Sequence, residues 1–189
     1  MAFQRIGFAL TGSFCTHRDA LAVMEELAGE YEIVPVLSEH AGNWDTRFGT
    51  AAELRDRIAR ICGREPVTTV AEAERFGPSD PLDALILCPC TGNTLAKLAR
   101  GITDTTVTMA AKAHLRSDRP LLIAPASNDA MSANLSSIGT LLNRKNVWFV
   151  PMRQDDPERK PHSLVADFSK VREALVLSER GMQTRPLFL

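Results

Sequence analysis

Long apolar runs are missing from this sequence. The longest, at Ala84–Cys88 and Leu121–Ala126, fall far short of the roughly 20 residues that span a bilayer, so no transmembrane helix is expected. Excess basic charge is missing as well. The formal net charge is −1, which argues against a footprint for nucleic acid or an anionic membrane surface. The N-terminal residues 1–5 lead straight into a strand-like segment. No basic stretch followed by a long apolar one precedes it, so a secretory signal is not expected and a cytoplasmic location is. Cysteine is sparse: Cys15, Cys62, Cys88 and Cys90 are too few and too scattered for a disulfide scaffold, and reduced thiols are expected. Cys88-Pro89-Cys90 is a CxC pair without a nearby histidine. It reads as small buried residues at a strand end, and no metal is expected there. The chain also lacks GxGxxG, the dinucleotide-binding fingerprint.

What is present is a soluble-protein composition, 44% hydrophobic and 24% charged over 189 residues, enough for one sizeable core. Apolar runs of strand length alternate with stretches of helical period. Strands are expected at residues 6–10, 31–37, 67–70, 84–88, 121–124 and 147–150. Helices are expected at 19–28, 51–62, 91–100, 107–115, 131–142 and 167–178. Residues 38–50 and the proline-rich 151–161 read as loops. Such alternation predicts a three-layer α/β fold, Rossmann-like or flavodoxin-like, with a mostly parallel sheet. No linker or repeat interrupts it. A single domain over 1–189 is expected, with a core at 4–151 and a C-terminal loop and helix at 152–189.

Ligands of such sheets bind beyond the carboxyl ends of the strands, where helix N-termini present free N–H groups. The residues that follow each strand are therefore the informative ones. After the first strand comes Thr11-Gly12-Ser13-Phe14: a glycine for close backbone approach, and hydroxyls that either meet an anion or cap the next helix. After the fourth comes Pro89-Cys90-Thr91-Gly92-Asn93-Thr94, with Lys97 one turn on. The proline is expected to end the strand. Three polar side chains around a glycine exceed what a cap needs and point to an anion-binding nest. Lys97 either adds charge to it or is simply solvated. After the fifth strand, Ala126-Ser127-Asn128 offers Ser127 or Asn128 as a helix cap, or Asn128 as a hydrogen-bonding group for a planar heterocycle. The loop Asn43-Trp44-Asp45-Thr46-Arg47-Phe48-Gly49 joins two aromatics to an arginine, which grips carboxylates bidentately. There Phe48 would cover a ring face and Asp45 would hold Arg47 in place. The alternative is a mobile surface loop.

Taken together, these loops resemble the flavin-binding family that includes phosphopantothenoylcysteine decarboxylase. The shared elements are Thr11-Gly12-Ser13, then Pro89 to Thr94 with Lys97, Gly101 and Asp104, then Ala124-Pro125-Ala126-Ser127-Asn128 with Met131. Within that family the likeness extends nearly end to end for the branch of dipicolinate synthase small subunits. It is carried by Ile6–Cys15, Asp45–Gly49, Cys88–Thr105, Met109–Leu115, Leu141–Pro151, Gln154–Pro157 and Lys160–Leu164. The resemblance implies an FMN-type nucleotide site formed by Thr11, Gly12, Ser13, Phe14, Ser38, Pro89, Thr91, Gly92, Asn93, Thr94, Ala126 and Asn128. It also implies a substrate side with Arg47 and Lys97, and no catalytic residue is assigned. It further implies one component of an oxidoreductase that takes two hydrogens from a dihydrodipicolinate-level intermediate of the lysine pathway during sporulation. NADP would sit on a partner, the A subunit of dipicolinate synthase. Trimer-based self-association follows from the same resemblance, with the Asn128 loop and the helix at 107–115 as contact elements, unless that helix is buried within its own domain. The decarboxylases carry Met where Ser127 stands, and His40 lies in a setting unlike their catalytic histidine, so decarboxylation does not transfer. Two alternatives stay open: FMN is held, or only its pocket remains in a non-catalytic binding protein.

Overall fold

The computed structural model describes residues 3–189. The apolar runs form five parallel strands in the order β2-β1-β3-β4-β5: β1 (Arg5–Leu10), β2 (Glu32–Leu37), β3 (Ala84–Cys90), β4 (Leu121–Ser127) and β5 (Val147–Phe149). Every residue of β3 and β4 is buried, as a sheet covered on both faces requires. Alternate side chains feed two cores. Ala9, Leu85, Leu87 and Ile123 lie on one face, and Ile6, Phe8, Ile86 and Leu122 on the other. The expected three-layer α/β fold is the one observed.

The helices are α1 (His17–Ala28), α2 (Glu39–Asn43), α3 (Ala51–Cys62), α4 (Val70–Ala73), α5 (Gly92–Arg100), α6 (Thr106–Leu115), α7 (Leu135–Leu142) and α8 (Val171–Glu179). α3 begins with a reciprocal cap in which Thr50 accepts from the Glu53 amide while Glu53 accepts from the Thr50 amide. It ends at Gly63, whose φ of 65° is left-handed.

Several expectations are corrected. The strand at 67–70 reduces to one parallel bridge, Val36 to Val67, because Thr69 caps α4 and turns the chain. Pro89 does not end its strand: β3 runs on to Cys90, and the ladder to β4 shifts register between Leu87 and Cys90, where proline has no N–H to give. The 38–50 loop contains α2, capped by Ser38. The helix expected from residue 131 starts only at Leu135. Neither Ser127 nor Asn128 caps it, because Asp129 first closes turns through its carbonyl to the amides of Ser132 and Asn134. The 151–161 segment begins with β6 (Met152–Arg153), which pairs antiparallel with β7 (Leu164–Ala166). β7 then joins the far end of β4 through Ala126 and Ser127. The helix at 107–115 is buried within its own fold, with Val107, Ala110, Ala111 and Ala113 in the core, so it is not an exposed contact element.

Candidate functional site

The first and third strands end side by side, and their loops are joined by one hydroxyl. Thr11 Oγ1 donates to the Pro89 carbonyl at 2.8 Å and accepts from the Thr91 amide at 3.0 Å, while the Thr11 amide also reaches Pro89 at 3.2 Å. The two loops therefore converge at the carboxyl edge of the sheet. Around the junction lies a cleft of about 220 Å³ lined by Thr11, Gly12, Ser38, Glu39, His40, Thr91, Asn93, Thr94, Lys97, Asp104 and Thr105. It opens onto the N-terminus of α5. Thr91 caps that helix by accepting from the Thr94 amide at 3.4 Å, and the amides of Gly92 and Asn93 remain at the helix mouth with its positive dipole end.

Seven of the expected residues thus come together: Thr11, Gly12, Ser38, Thr91, Asn93, Thr94 and Lys97. Their roles are not all those expected. Thr11 is 1% exposed, and its hydroxyl is spent on the two loops. Ser38 uses its hydroxyl to cap α2 through the Ala41 amide at 3.3 Å. Lys97 pairs with Asp104 at 2.7 Å, and that hydrogen bond holds the Asp104 carboxyl below its ordinary range.

The remaining expected residues lie elsewhere. Ser13 is engaged by the hydroxyl of Thr16 at 3.2 Å. Pro89 sits behind the cleft wall as an acceptor, and Ala126 is buried where β4 meets β7. Asn128 is exposed outside this cleft. Gly92, expected in the nucleotide site, is boxed in: a Cβ there would come within 2.5 Å of Ser127 Oγ, 2.6 Å of Asp129 Oδ1 and 2.7 Å of Asn134 Nδ2. Those three side chains form one cluster, with Ser127 and Asn134 both donating to the Asp129 carboxylate. Packing alone therefore requires a glycine at position 92.

Sequence reasoning missed Glu39. Its carboxylate accepts from the Thr106 amide at 2.9 Å and from the Thr106 hydroxyl at 3.1 Å, tying α2 to the start of α6. The acidic residue just inside a helix cap was the available signal.

A second cleft, of about 470 Å³, lies on the other side of the Gly12 loop, between the start of α1, residues 44–50 and α3. Phe14, Trp44 and Phe48 line it, with His17, Arg18, Glu53 and Arg57. Phe14 thus faces this cleft and not the smaller one. Arg47 is exposed and covers the Phe48 ring at 4.8 Å. Asp45 does not hold Arg47: it accepts from the Ala51 amide at 2.9 Å at the start of α3. The walls of the two clefts touch. His17 Nε2 meets the Thr11 carbonyl at 2.7 Å, and the His40 and Trp44 rings pack at a tilt of 43° with centroids 4.1 Å apart. Burial pulls the pKa of His17 down, which favours the neutral ring with its proton on Nε2, toward that carbonyl.

Two loops joined at the sheet edge, with a helix N-terminus open between them, invite comparison with known proteins. A family model described as Flavoprotein matches residues 2–161. The chain belongs to the Flavoprotein family. The dipicolinate synthase B subunit of Bacillus subtilis (strain 168) is 38% identical to it over 187 residues, spanning 98% of this chain and 94% of that one. The crystal structure of the dipicolinate synthase B subunit from Bacillus halodurans C superposes with a TM-score of 0.90 at 37% identity, over 100% of this chain and 98% of that one. The FMN-dependent cysteine decarboxylase SpaF is a more distant relative of this flavoprotein, with a TM-score of 0.64 at 25% identity over 93% and 97% of the two chains. No helix among the described residues is long and apolar enough to cross a membrane.

Proposed function

We propose that this chain is the B subunit of a dipicolinate synthase. It takes part in the NADP-linked oxidation of a dihydrodipicolinate-level intermediate to dipicolinate during sporulation. The observation that carries this reading is the likeness to dipicolinate synthase B subunits along almost the whole chain, in sequence and in fold. The decarboxylase relative is a distant one by both measures.

In this reading the smaller cleft receives the phosphate end of FMN. The Gly92 and Asn93 amides at the mouth of α5 would donate to it, and the helix dipole favours its charge; the Thr94 hydroxyl, which meets the Thr91 hydroxyl at 3.1 Å, would turn from that contact to the anion. Glu39 and Asp104 stand in the same cleft, so affinity rests on the amides more than on net charge. Bound there, FMN would supply hydride-accepting chemistry. The chain's own contribution is to anchor the phosphate and to hold the ring toward the aromatic cleft beyond Gly12. Arg47, on the outer lip of that cleft, meets the substrate's carboxylates as they approach. NADP sits on the partner, the A subunit of the synthase, since this chain has no GxGxxG. The chain folds as a single domain, functions in the cytoplasm and self-associates in trimers.

The experiment is reconstitution. The partner, NADP and the dihydro substrate are mixed with increasing amounts of this chain, and NADPH formation is followed. A rate that rises and saturates supports the assignment. A rate set by the partner alone contradicts it.

A further inference from the structure

The aromatic cleft is the larger of the two and its chemistry differs from that of its neighbour. Two of its walls are aromatic rings that face solvent: Trp44 is 56% exposed and Phe48 is 54% exposed. Arg47 lies over the Phe48 ring and His40 against Trp44, yet more than half of each residue still faces solvent, and such exposed aromatic surface at a cleft suits a planar ligand. The third ring, Phe14, packs against His17 with centroids 5.2 Å apart. At the same cleft stand two arginines from different helices, Arg18 of α1 and Arg57 of α3. Neither makes an ion pair among the described residues. Glu53 is the one carboxylate lining the cleft, and it is committed to the Thr50 amide and hydroxyl at 2.9 and 3.0 Å. The volume, about 470 Å³, falls within the range of small-molecule sites.

We propose that this cleft seats the ring of a planar heteroaromatic dicarboxylate, with Arg18 and Arg57 as the partners of its two carboxylates and Trp44 and Phe48 against its faces. The proposal rests on the reading of the chain as part of a dipicolinate synthase and adds the residues that would recognise the substrate. Two guanidiniums on separate helices suit two carboxylates on one rigid ring better than one guanidinium would, because each fork can pair with its own carboxylate. The contacting walls then make mechanical sense. The Thr11 carbonyl holds His17, and His40 packs at a tilt on Trp44, so residues that border the phosphate cleft also position residues of the ring cleft.

The test uses the Trp44 emission. The chain has two tryptophans, and a Trp148→Phe background leaves Trp44 as sole reporter. Pyridine-2,6-dicarboxylate is the probe, with pyridine as the uncharged comparison. Saturable quenching by the dicarboxylate and none by pyridine is expected. Arg18→Ala and Arg57→Ala should each weaken binding at least tenfold, with partial rescue by Lys at either position. Arg60→Ala, on the same helix but outside the cleft, should bind as the parent does. Circular dichroism verifies that each variant is folded. The same variants are assayed in the reconstituted synthase, where a raised KM is expected at Arg18 and Arg57. If both alanine variants bind the probe within twofold of the parent, or keep the parental KM, the proposal is overturned while the functional assignment stands. If they weaken FMN binding and leave the probe untouched, the cleft belongs to the cofactor ring and the proposal is likewise overturned. Intact probe binding with no turnover in the complex would instead overturn the functional assignment.

Discussion

The hydroxyl of Thr11 donates to the carbonyl of Pro89 at 2.8 Å across 78 positions of sequence, and the same oxygen accepts from Thr91. One buried side chain therefore joins the two loops that border the phosphate cleft. Thr11→Val keeps the shape and removes both bonds, leaving the Thr91 amide without its partner while the Pro89 carbonyl keeps only the Thr11 amide at 3.2 Å. A loss of about 1–3 kcal/mol is expected, measured by urea denaturation. Thr11→Ser retains the hydroxyl and should recover most of it.

Gly92 is the tightest position at the mouth of α5. Even one methyl there meets Ser127, Asp129 and Asn134 at under 3 Å, and Ser127 and Asn134 both donate to Asp129. Gly92→Ala should lower stability by about 1–3 kcal/mol through overpacking, visible as a lower Tm with no ligand present. A thermal midpoint equal to that of the parent would contradict the packing role.

The four thiols should react in a clear order. Cys15 is exposed, Cys62 is partly covered and Cys88 and Cys90 are buried. Burial pushes Cys62 up to about 11 and the two strand cysteines higher still, so few of them are thiolate at neutral pH. Titration with an aromatic disulfide reagent should show one fast thiol in the native protein, absent in Cys15→Ser, and all four only after denaturation.

His114 supplies a pH dependence. It is fully buried, and burial pulls its pKa from 6.5 to about 4, while Nε2 meets the Pro120 carbonyl at 2.8 Å. The folded state therefore resists the proton that the unfolded chain accepts. Its stabilising effect is complete above pH 6.5 and is lost as pH falls toward 4, by about 3 kcal/mol at roughly 1.4 kcal/mol per pKa unit. Denaturation midpoints between those limits should fall with pH, and His114→Gln should flatten the fall.

The parallel sheet was legible because β3 and β4 are continuous apolar runs of strand length, and α3 because its cap, period and terminal glycine agree. β6 and β7 were not legible, since strands of two and three residues carry no period and pair only through partners supplied by the fold. The clustering of Thr11, Thr91 and Thr94 followed from the rule that sites gather beyond strand ends. What each hydroxyl does there did not follow, because Thr11 is spent on a residue 78 positions away. The packing role of Gly92 was hidden for the same reason: its neighbours come from residues 127–134, which local sequence does not place beside it. Arg18 and Arg57 lie within helices rather than after strands, outside the segments that strand-end reasoning inspects.

Flavin mononucleotide compared with riboflavin tests the phosphate cleft most directly, because the two ligands differ only in the phosphate. Quenching of flavin fluorescence by the purified chain should give FMN a Kd at least roughly tenfold below that of riboflavin, as expected for one or two charge-assisted hydrogen bonds to amides and a hydroxyl. Asn93→Pro removes one amide donor at the second helical position, and Thr94→Val removes the hydroxyl. Both should narrow the gap without changing riboflavin affinity. Equal affinity for the two flavins in the parent chain, or no binding of either, would contradict a phosphate site at the N-terminus of α5.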